Sequence, residues 1–522
     1  MRVLQPNPAK ELGAHMRLSR RDFVKIGAGS GLAAGSAAFV SGAAYAQQST
    51  PVLPPPSVKA EGPCAKSLLG EGVAKPDFTL DVDEKPYKAY GVDLKAQLVG
   101  GSWPGTPIRY TEGDMFRVLI NNRMKEPTCI HWHGLLLPSL MDGVPEISQL
   151  PILPGTSQYY EFPLVQSGSY YYHSHLGFQE QYGLLGSLII DALDNPYSYD
   201  EDEVLMFCDI PPAEGPEIIK DLRSGSKRPE INEAYEPPNT KGFDIDVRNA
   251  GITLNGKSND DPWILSVKKG ARLRLRLINA TGSTFFRVQL AGLKFTIIEV
   301  DGNRVKPFEA DSVIIPTAAR YDVLVDIPQG GSYTLHAAVL GDDIQCIGVI
   351  HTDDVAPVAN KGRAEFKGVT ADFRSLRSFK ESDFGRKADR MLDVLLSGNM
   401  KSYEWEMNEH YWPAEYAGPD PLKTYLDVEY GEVVQLRMIN RSRMSHPMHL
   451  HGHTFRVLGT KDDRFAPVMD TVWVPAGETV TIEFLANNPG MWAFHCHNIW
   501  HLAVGMMQPV RYVTTRPLRD AE

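Results

Sequence analysis

Two sequence patterns each occur three times along the 522 residues, at intervals close to 160 residues. The first is a glycine followed by a mostly apolar run, and its copies end at Asn121, Asn279 and Asn440. The second is a glycine followed by an aromatic or apolar stretch, and its copies begin at Gly168, Gly331 and Gly490. A repeat of this length is a whole domain rather than one turn of a solenoid. The chain is therefore predicted to contain three consecutive domains of one kind.

Short strands dominate the prediction within each copy. The run 272–277 alternates arginine and leucine, as expected for a strand with one wet face, and glycines and prolines recur between such runs. Many short strands in each unit predict an all-β fold of three Greek-key β-sandwiches. We place the domains at 76–200, 201–355 and 386–522, named the first, middle and third segments, with a linker at 356–385.

The first 46 residues have the features of an export signal. Arg20-Arg21 precedes a short, glycine-diluted apolar stretch, and an Ala-Tyr-Ala cleavage sequence follows at 44–46. The paired arginines resemble the twin-arginine type, which implies the twin-arginine export machinery and a periplasmic or exported bacterial protein. Met16 is an alternative start. Residues 47–75 contain five prolines and are predicted to form an extended arm.

Charge argues against a nucleic-acid partner, and hydropathy argues against a membrane-spanning segment. The net charge is −11, and the leader carries six basic and two acidic residues, so the remainder is near −15. An acidic surface of this kind repels phosphate backbones and argues against a nucleic-acid partner. No stretch of 18 apolar residues is present that would predict a membrane span.

Histidines occur in a pattern that chance does not explain. Random placement of 15 histidines would give about 0.4 His-x-His pairs. The five observed pairs are 131/133, 173/175, 449/451, 451/453 and 495/497. Residues i and i+2 of a strand face the same way, and imidazole suits copper, zinc, iron and nickel. Because all five pairs lie in the first and third segments, a metal cluster is predicted between those segments.

The last pair contains a cysteine that narrows the choice of metal. His495 and His497 share one strand face, and Cys496 lies on the other. Two histidines, one cysteine and a weak axial thioether are the ligands of blue-copper sites, whereas zinc prefers four strong ligands. The candidates for the blue-copper site are His446, Cys496, His501 and Met506, with Met507 as a competitor and core packing as the alternative role of Met506.

Taken together, four motifs resemble those of the three-domain multicopper oxidases, the family of laccases, ascorbate oxidases, ferroxidases and copper-efflux oxidases. They span 131–134, 173–175, 446–451 and 495–506. The resemblance implies three cupredoxin domains, four copper ions, a small-molecule electron donor and dioxygen as acceptor. Electrons would pass from Cys496 to a cluster through His495 and His497.

The resemblance also implies a ligand for each copper. A type 1 copper would take His446, Cys496 and His501, with Met506 axial, and a type 2 copper would take His131 and His449. Two type 3 coppers would share the remaining six imidazoles, which are His133, His173, His175, His451, His495 and His497.

The middle segment lacks one imidazole of the copper pattern, and the first segment contains an acidic residue that resembles a functional one of the family. In the middle segment His336 aligns with His173 and His495, but Ala338 stands where a second imidazole would be, so this segment is predicted to hold no copper. Asp142 resembles the acid near the type 2 copper of the family and is our candidate proton relay. The alternative is a turn-forming Asp-Gly. The positions where some relatives carry a second acid hold Ile499 and Leu502.

The cysteines outside the copper motif and the identity of the donor are left open by the sequence. Cys64, Cys129, Cys208 and Cys346 allow three disulfide pairings, with free buried thiols as the equal alternative. A laccase-like oxidase of phenols or similar aromatics is the first hypothesis for function. An oxidase of Cu(I), Fe(II) or Mn(II) is the second, although no methionine-rich insert is present. A non-catalytic structural protein is a remote third, because the ligand set is intact.

Overall fold

The computed structural model describes residues 74–145, 147–225, 245–412, 425–460 and 462–513. These residues belong to one compact unit, 49–522. The predicted export signal and nearly all of the predicted arm lie outside the described residues. Among the described residues, no helix combines the length and the apolar character needed to cross a membrane.

The first segment forms two four-stranded sheets. Its strands are β1 (Phe78–Ala89), β2 (Val92–Val99), β3 (Ile108–Thr111), β4 (Met115–Asn122), β5 (His131–His133), β6 (Ser157–Pro163), β7 (Gly168–His173) and β8 (Leu185–Asp191). One sheet has the order β2-β1-β4-β6 and the other β3-β8-β7-β5. Two short 3₁₀ helices connect strands at Ser139–Met141 and Glu180–Tyr182.

The middle segment forms two six-stranded sheets. Its strands are β9 (Glu201–Ile210), β10 (Gly251–Leu254), β11 (Trp263–Val267), β12 (Arg272–Asn279), β13 (Phe286–Leu290), β14 (Phe295–Val300), β15 (Asn303–Ala310), β16 (Ser312–Ile315), β17 (Arg320–Asp326), β18 (Ser332–Val339) and β19 (Gln345–Thr352). The orders are β10-β9-β12-β17-β14-β15 and β11-β19-β18-β13-β16, the latter extended by β20 (Thr370–Ala371) of the predicted linker. An α-helix occupies Gly215–Ser224 and a 3₁₀ helix Phe373–Ser375.

The third segment forms one six-stranded and two three-stranded sheets. Its strands are β21 (Arg390–Asn399), β22 (Glu404–Met407), β23 (Leu426–Val428), β24 (Val433–Asn440), β25 (His446–Leu450), β26 (Phe455–Val457), β27 (Val468–Met469), β28 (Thr471–Val474), β29 (Thr479–Leu485), β30 (Met491–Trp492), β31 (Phe494–Cys496) and β32 (Val510–Tyr512). The orders are β22-β21-β24-β29-β26-β27, β23-β32-β30 and β28-β25-β31. A 3₁₀ helix occupies Asp463–Phe465, and a short α-helix, Ile499–Ala503, follows the cysteine motif.

The alternating run at 272–277 is a strand, but the prediction that one of its faces is wet was wrong. Both Arg274 and Arg276 are buried, because this face of β12 packs against β7, where Arg276 donates to Ser169 Oγ at 3.1 Å; only Arg272, at the start of the strand, is partly exposed. Acids on the neighbouring strands compensate the charge: Arg274 pairs with Asp322, and Arg276 with Asp202. Buried cations of this kind require such partners.

Candidate metal centre

Three imidazoles from two segments point the same ring nitrogen at a common point. The Nε2 atom of His495 lies 3.2 Å from Nε2 of His175 and 3.0 Å from Nε2 of His451. His175 belongs to the first segment, and the other two belong to the third. Three converging lone pairs are the arrangement that a shared cation requires.

Five further imidazoles complete this buried cluster, and four of them carry a nitrogen without a protein partner. The rings of His133 and His449 stack at 3.8 Å, and His497 lies 5.1 Å from both His133 and His173. The buried atoms that make no hydrogen bond to the described residues are His131 Nε2, His133 Nδ1, His173 Nε2 and His449 Nε2. Buried nitrogens left unpaired are costly, so this donor set fits metal ions. The structure thus brings together all eight imidazoles that the sequence assigned to the cluster.

Antiparallel strand pairs place these rings side by side. In the first segment β5 pairs with β7, and His131 lies opposite His173. In the third segment β25 pairs with β31, and His449 lies opposite His495. Directly opposed residues on antiparallel strands project to the same side, so each pair of strands presents its imidazoles from one face. The two segments contribute in the same way.

Burial favours the neutral form of five of the cluster imidazoles. Desolvation, followed by repulsion from neighbouring imidazoles, holds the pKa of His133, His175 and His451 well below the ordinary value. The same direction applies to His495 and His497. A neutral ring keeps one nitrogen lone pair free for a metal.

A second, smaller group lies on the other side of Cys496. The Nδ1 atoms of His446 and His501 are 3.1 Å apart, and each lies within 3.6 Å of Cys496 Sγ. All three side chains are fully buried. Burial raises the pKa of the Cys496 thiol above its ordinary value, so a metal ion is needed to displace its proton.

Neighbouring groups turn both of these imidazoles toward the cysteine. His446 Nε2 lies 2.8 Å from Ser442 Oγ, and His501 Nε2 lies 3.2 Å from Asp246 Oδ1. Each ring therefore uses its outer nitrogen for a hydrogen bond and directs Nδ1 inward. Hydrogen bonds of this kind fix the tautomer and orientation of metal-ligating histidines.

The two candidate axial methionines and the middle-segment histidine have clear positions in the structure. Met506 is fully buried, and its backbone carbonyl accepts the Cys496 N–H at 3.1 Å, while Met507 forms a bridge with His495. His336 lies in β18 of the middle segment, where its neighbours across the sheet are Gln289 and Ile347.

Asp142 lies at the edge of the cluster and contacts a ligand candidate from each outer segment. Its Oδ2 is 2.9 Å from Nδ1 of His451, and its backbone carbonyl is 2.7 Å from Nδ1 of His131. Asp142 Oδ1 makes no hydrogen bond with the described residues, although it is 3.3 Å from His131 Nδ1. The sequence-based choice of this residue thus corresponds to a buried acid in contact with the imidazoles.

Two further buried acids at the cluster were missed by the sequence analysis. Asp470 Oδ1 lies 3.3 Å from His133 Nε2 and 3.5 Å from His449 Nδ1. Glu180 Oε2 lies 3.1 Å from His173 Nδ1. Glu180 follows the second histidine motif closely enough to have been noticed, but Asp470 lies in no copper motif.

The surroundings of His501 were also missed. Asp246, from the middle segment, accepts hydrogen bonds from Tyr403 Oη at 2.7 Å and from Asn498 Nδ2 at 2.5 Å. The indole of Trp405 lies 4.1 Å from the His501 ring. Since Asp246 and His501 are 255 residues apart, no local pattern could have revealed this contact.

The cysteines outside the copper motif are free thiols where the structure describes them. Cys129, Cys208 and Cys346 are all buried and unpaired. This resolves the three-way ambiguity in favour of free thiols for these residues, while Cys64 lies outside the described residues. Cys129 Sγ accepts the backbone N–H of His175 at 3.1 Å, so the thiol supports the second histidine motif.

Comparisons with known proteins agree with this geometry. Sequence models described as multicopper oxidase match residues 81–195, 227–352 and 387–515. The multicopper oxidase MmcO of Mycobacterium tuberculosis is 29% identical, over 95% of this chain and 97% of its own. A copper resistance protein A homolog of Pseudomonas syringae pv. tomato is 27% identical, over 95% and 99%.

Solved structures share the fold. A mutant of the laccase from B. aclada superposes with a TM-score of 0.69 at 26% identity, over 84% of this chain and 87% of that one. Fet3p, a multicopper oxidase that functions in iron import, superposes with a TM-score of 0.72 at 22% identity, over 83% and 90%. The predicted fold of three cupredoxin-like β-sandwiches is thereby confirmed. The protein is a copper-binding oxidoreductase acting on a small-molecule donor and dioxygen, and the chain belongs to the multicopper oxidase family.

Proposed function

We propose that this multicopper oxidase is laccase-like: it removes single electrons from a phenolic or related aromatic donor and uses four of them to reduce dioxygen to water. The observation that carries the proposal is the arrangement around Cys496. Its thiol meets two imidazoles on one side, while its chain neighbours His495 and His497 enter the eight-imidazole cluster on the other. A one-electron donor and a four-electron acceptor require such a pair of linked sites.

The outer group would hold a type 1 copper. His446 and His501 offer Nδ1, Cys496 offers its thiolate, and we assign Met506 as the weak axial ligand. This donor set is typical of blue-copper electron-transfer sites. The close approach of the three donor atoms supports the first three assignments, and the burial of Met506 is consistent with the fourth.

The cluster would hold the other three of the four copper ions. We assign His175, His451 and His495 to one type 3 ion, because their Nε2 atoms converge. His133, His173 and His497 would hold the second type 3 ion, and His131 and His449 the type 2 ion. Bound copper supplies reversible one-electron chemistry and Lewis acidity toward dioxygen. Electrons would reach it from Cys496 through His495 and His497.

Asp142 is proposed to deliver protons to this cluster. Reduction of dioxygen to water consumes four protons, and seven of the eight cluster imidazoles are buried. Asp142 is fully buried, touches His131 and His451, and has one carboxylate oxygen without a partner among the described residues. A positioned acid with a free oxygen can pass a proton between water and the site.

A cleft beside the outer group offers a place for an aromatic donor. Apolar side chains, among them Ile245, Phe285 and Met444, form much of its wall. Two buried polar atoms in the same lining, Asn249 Oδ1 and Ser445 Oγ, have no hydrogen-bond partner in the described protein. Apolar walls with a few convergent polar atoms suit a phenol.

One observation favours a metal ion as the alternative donor. Asp246 places a carboxylate on the outward nitrogen of His501, and a negative charge there would attract Cu(I), Fe(II) or Mn(II). Relatives are named copper resistance protein A and, at 28% identity, iron transport multicopper oxidase fio1. On this alternative the protein would act in metal tolerance.

Parallel oxygen-uptake assays on copper-loaded protein distinguish the two donors. A phenol, Cu(I), Fe(II) and Mn(II) are supplied separately, and Cys496→Ser serves as the control that must abolish uptake with each of them. We expect the phenol to be oxidised fastest. A tenfold or greater preference for a metal ion would replace the phenol assignment by the metallo-oxidase alternative.

The remaining assignments concern organisation and location. We propose cupredoxin domains at 76–200, 201–355 and 386–522, which is supported by sheets that each draw their strands from one of these ranges, β20 of the linker excepted. We also propose that residues 1–46 are a twin-arginine signal and that the protein works in the periplasm or outside the cell. Amino-terminal sequencing of the secreted protein, expected to begin at Gln47, tests this.

A further inference from the structure

A fully buried arginine of the middle segment reaches the copper cluster. Arg320 begins β17, and its guanidinium binds both carboxylate oxygens of Asp470, at 2.7 Å and 2.5 Å. Its Nε donates to the backbone carbonyl of Ser169 at 3.1 Å. A single side chain therefore joins the middle segment to the third segment through Asp470 and to the first through Ser169.

Asp301, also from the middle segment, holds the same part of the chain. Its Oδ2 accepts the backbone N–H groups of Asp470 and Thr471, at 3.2 Å and 3.1 Å. Its Oδ1 accepts the backbone N–H of Arg320 at 2.9 Å. The side chain and the backbone of Asp470 are thus both fixed by a segment that is predicted to bind no copper.

Asp470 in turn faces two imidazoles in opposite orientations. His133 directs Nε2 toward Asp470 Oδ1 and leaves Nδ1 unpartnered, whereas His449 donates from Nδ1 to the Asp470 carbonyl at 2.8 Å and leaves Nε2 unpartnered. In each ring the nitrogen away from Asp470 is the one available to a metal. Thr471 Oγ1 lies 3.2 Å from the same Nε2 of His133 and 3.1 Å from the same Nδ1 of His449, so Asp470 and Thr471 together account for this difference between the two rings.

Close packing leaves this arrangement little freedom. Gly134 follows His133 with a φ of +83°, and a Cβ there would lie 2.5 Å from both Arg320 Nη2 and Asp470 Oδ2. Burial alone would raise the pKa of Asp470, but the Arg320 guanidinium outweighs it and holds the pKa well below its usual range. The guanidinium thus favours the ionised, hydrogen-bond-accepting form of Asp470.

We infer that Arg320 is a positioning residue of the copper cluster, which fixes the ring orientations of His133 and His449 by holding Asp470 in place. The inference rests on the proposed copper assignment of these two histidines. It gives the middle segment a specific task at a site to which it contributes no ligand. Residues that orient metal ligands typically change metal affinity by about 10- to 100-fold when they are replaced.

The test compares Arg320 with a buried arginine of the same segment that pairs with acids other than Asp470. Arg274 is likewise buried and paired, with Asp322 and Glu299. Arg320→Met, Arg320→Lys and Arg274→Met are reconstituted with copper, and the type 2 electron paramagnetic resonance signal and type 2 copper affinity are measured. The blue absorption of the type 1 site serves as an internal reference.

We expect Arg320→Met to weaken type 2 copper binding at least tenfold and to alter its resonance signal, with unchanged type 1 absorption. Arg320→Lys keeps the charge but loses the two-pronged contact, so we expect a loss of intermediate size. Arg274→Met should lower thermal stability only.

Wild-type type 2 copper affinity and resonance signal in Arg320→Met, or in Arg320→Lys if the methionine variant does not fold, would overturn the inference. An equal change in Arg274→Met would do the same. Absence of a type 2 signal from the wild-type protein would instead refute the copper assignment itself.

Discussion

Asp142 and Asp470 lie on two sides of the imidazole cluster and make matching contacts. Asp142, from the first segment, touches His131 of its own segment and His451 of the third. Asp470, from the third segment, touches His449 of its own segment and His133 of the first. On the proposed assignment each aspartate therefore contacts one type 2 ligand and one type 3 ligand.

The two aspartates differ in the hydrogen-bond partners of their carboxylate oxygens. Arg320 binds both oxygens of Asp470, whereas Oδ1 of Asp142 has no hydrogen-bond partner among the described residues. The guanidinium occupies both oxygens of Asp470, whereas Oδ1 of Asp142 is left open for a hydrogen bond to a proton donor or acceptor. The two aspartates therefore suit different tasks: Asp470 is inferred to orient imidazoles, and Asp142 is the candidate for proton transfer.

The largest expected effect is a loss of folding stability in Asp470→Asn. The change leaves the fully buried Arg320 with Asp301, 3.4 Å away, as its remaining acidic partner, and breaking a buried pair costs up to about 3–5 kcal/mol of stability. Thermal unfolding of the copper-loaded protein should show a clearly lowered midpoint. Asp142→Asn strands no buried cation and is the matched control. Equal midpoints for the two variants would remove the distinction between the acids.

The next effect is expected for Asp142→Asn in catalysis. Loss of a positioned proton donor lowers turnover by about 100-fold or more, while copper content and blue colour stay unchanged. Oxygen uptake between pH 5 and 7 measures this, with the type 1 absorption recorded on the same samples. Turnover equal to that of the wild type across this range would exclude the relay role.

The smallest effect is expected for Glu180→Gln. Burial raises the pKa of Glu180 well above its ordinary value, which favours the protonated form, and an amide of the same shape resembles that form. The glutamine can still accept the hydrogen bond of His173. We expect turnover within about threefold of the wild type. A loss as large as that of Asp142→Asn would show that the cluster has a second proton-delivering acid.

The fold class and the family were predictable because their signals are local or periodic. A pattern recurring every 160 residues reveals tandem domains without any knowledge of their contacts, and both predictions are confirmed. Imidazoles at i and i+2 share a strand face, so the histidine pairs indicated the cluster directly. The domain boundaries and the role of each ligand stay predictions.

The groups that hold the ligands were not predictable in the same way. Arg320 and Asp470 are separated by 150 residues, and Asp470 and His133 by 337. In the sequence, Arg320 and Asp470 look like ordinary surface charges, as the arginines of β12 did. Only the packing of three segments around one point buries these charges and pairs them, and no repeat or short motif records that packing.

Copper quantification combined with absorption spectroscopy of fully loaded protein tests the central claim most directly. The account predicts four copper ions per chain and an intense blue band that disappears in Cys496→Ser. A single copper ion per chain, or four ions without the blue band, would contradict it.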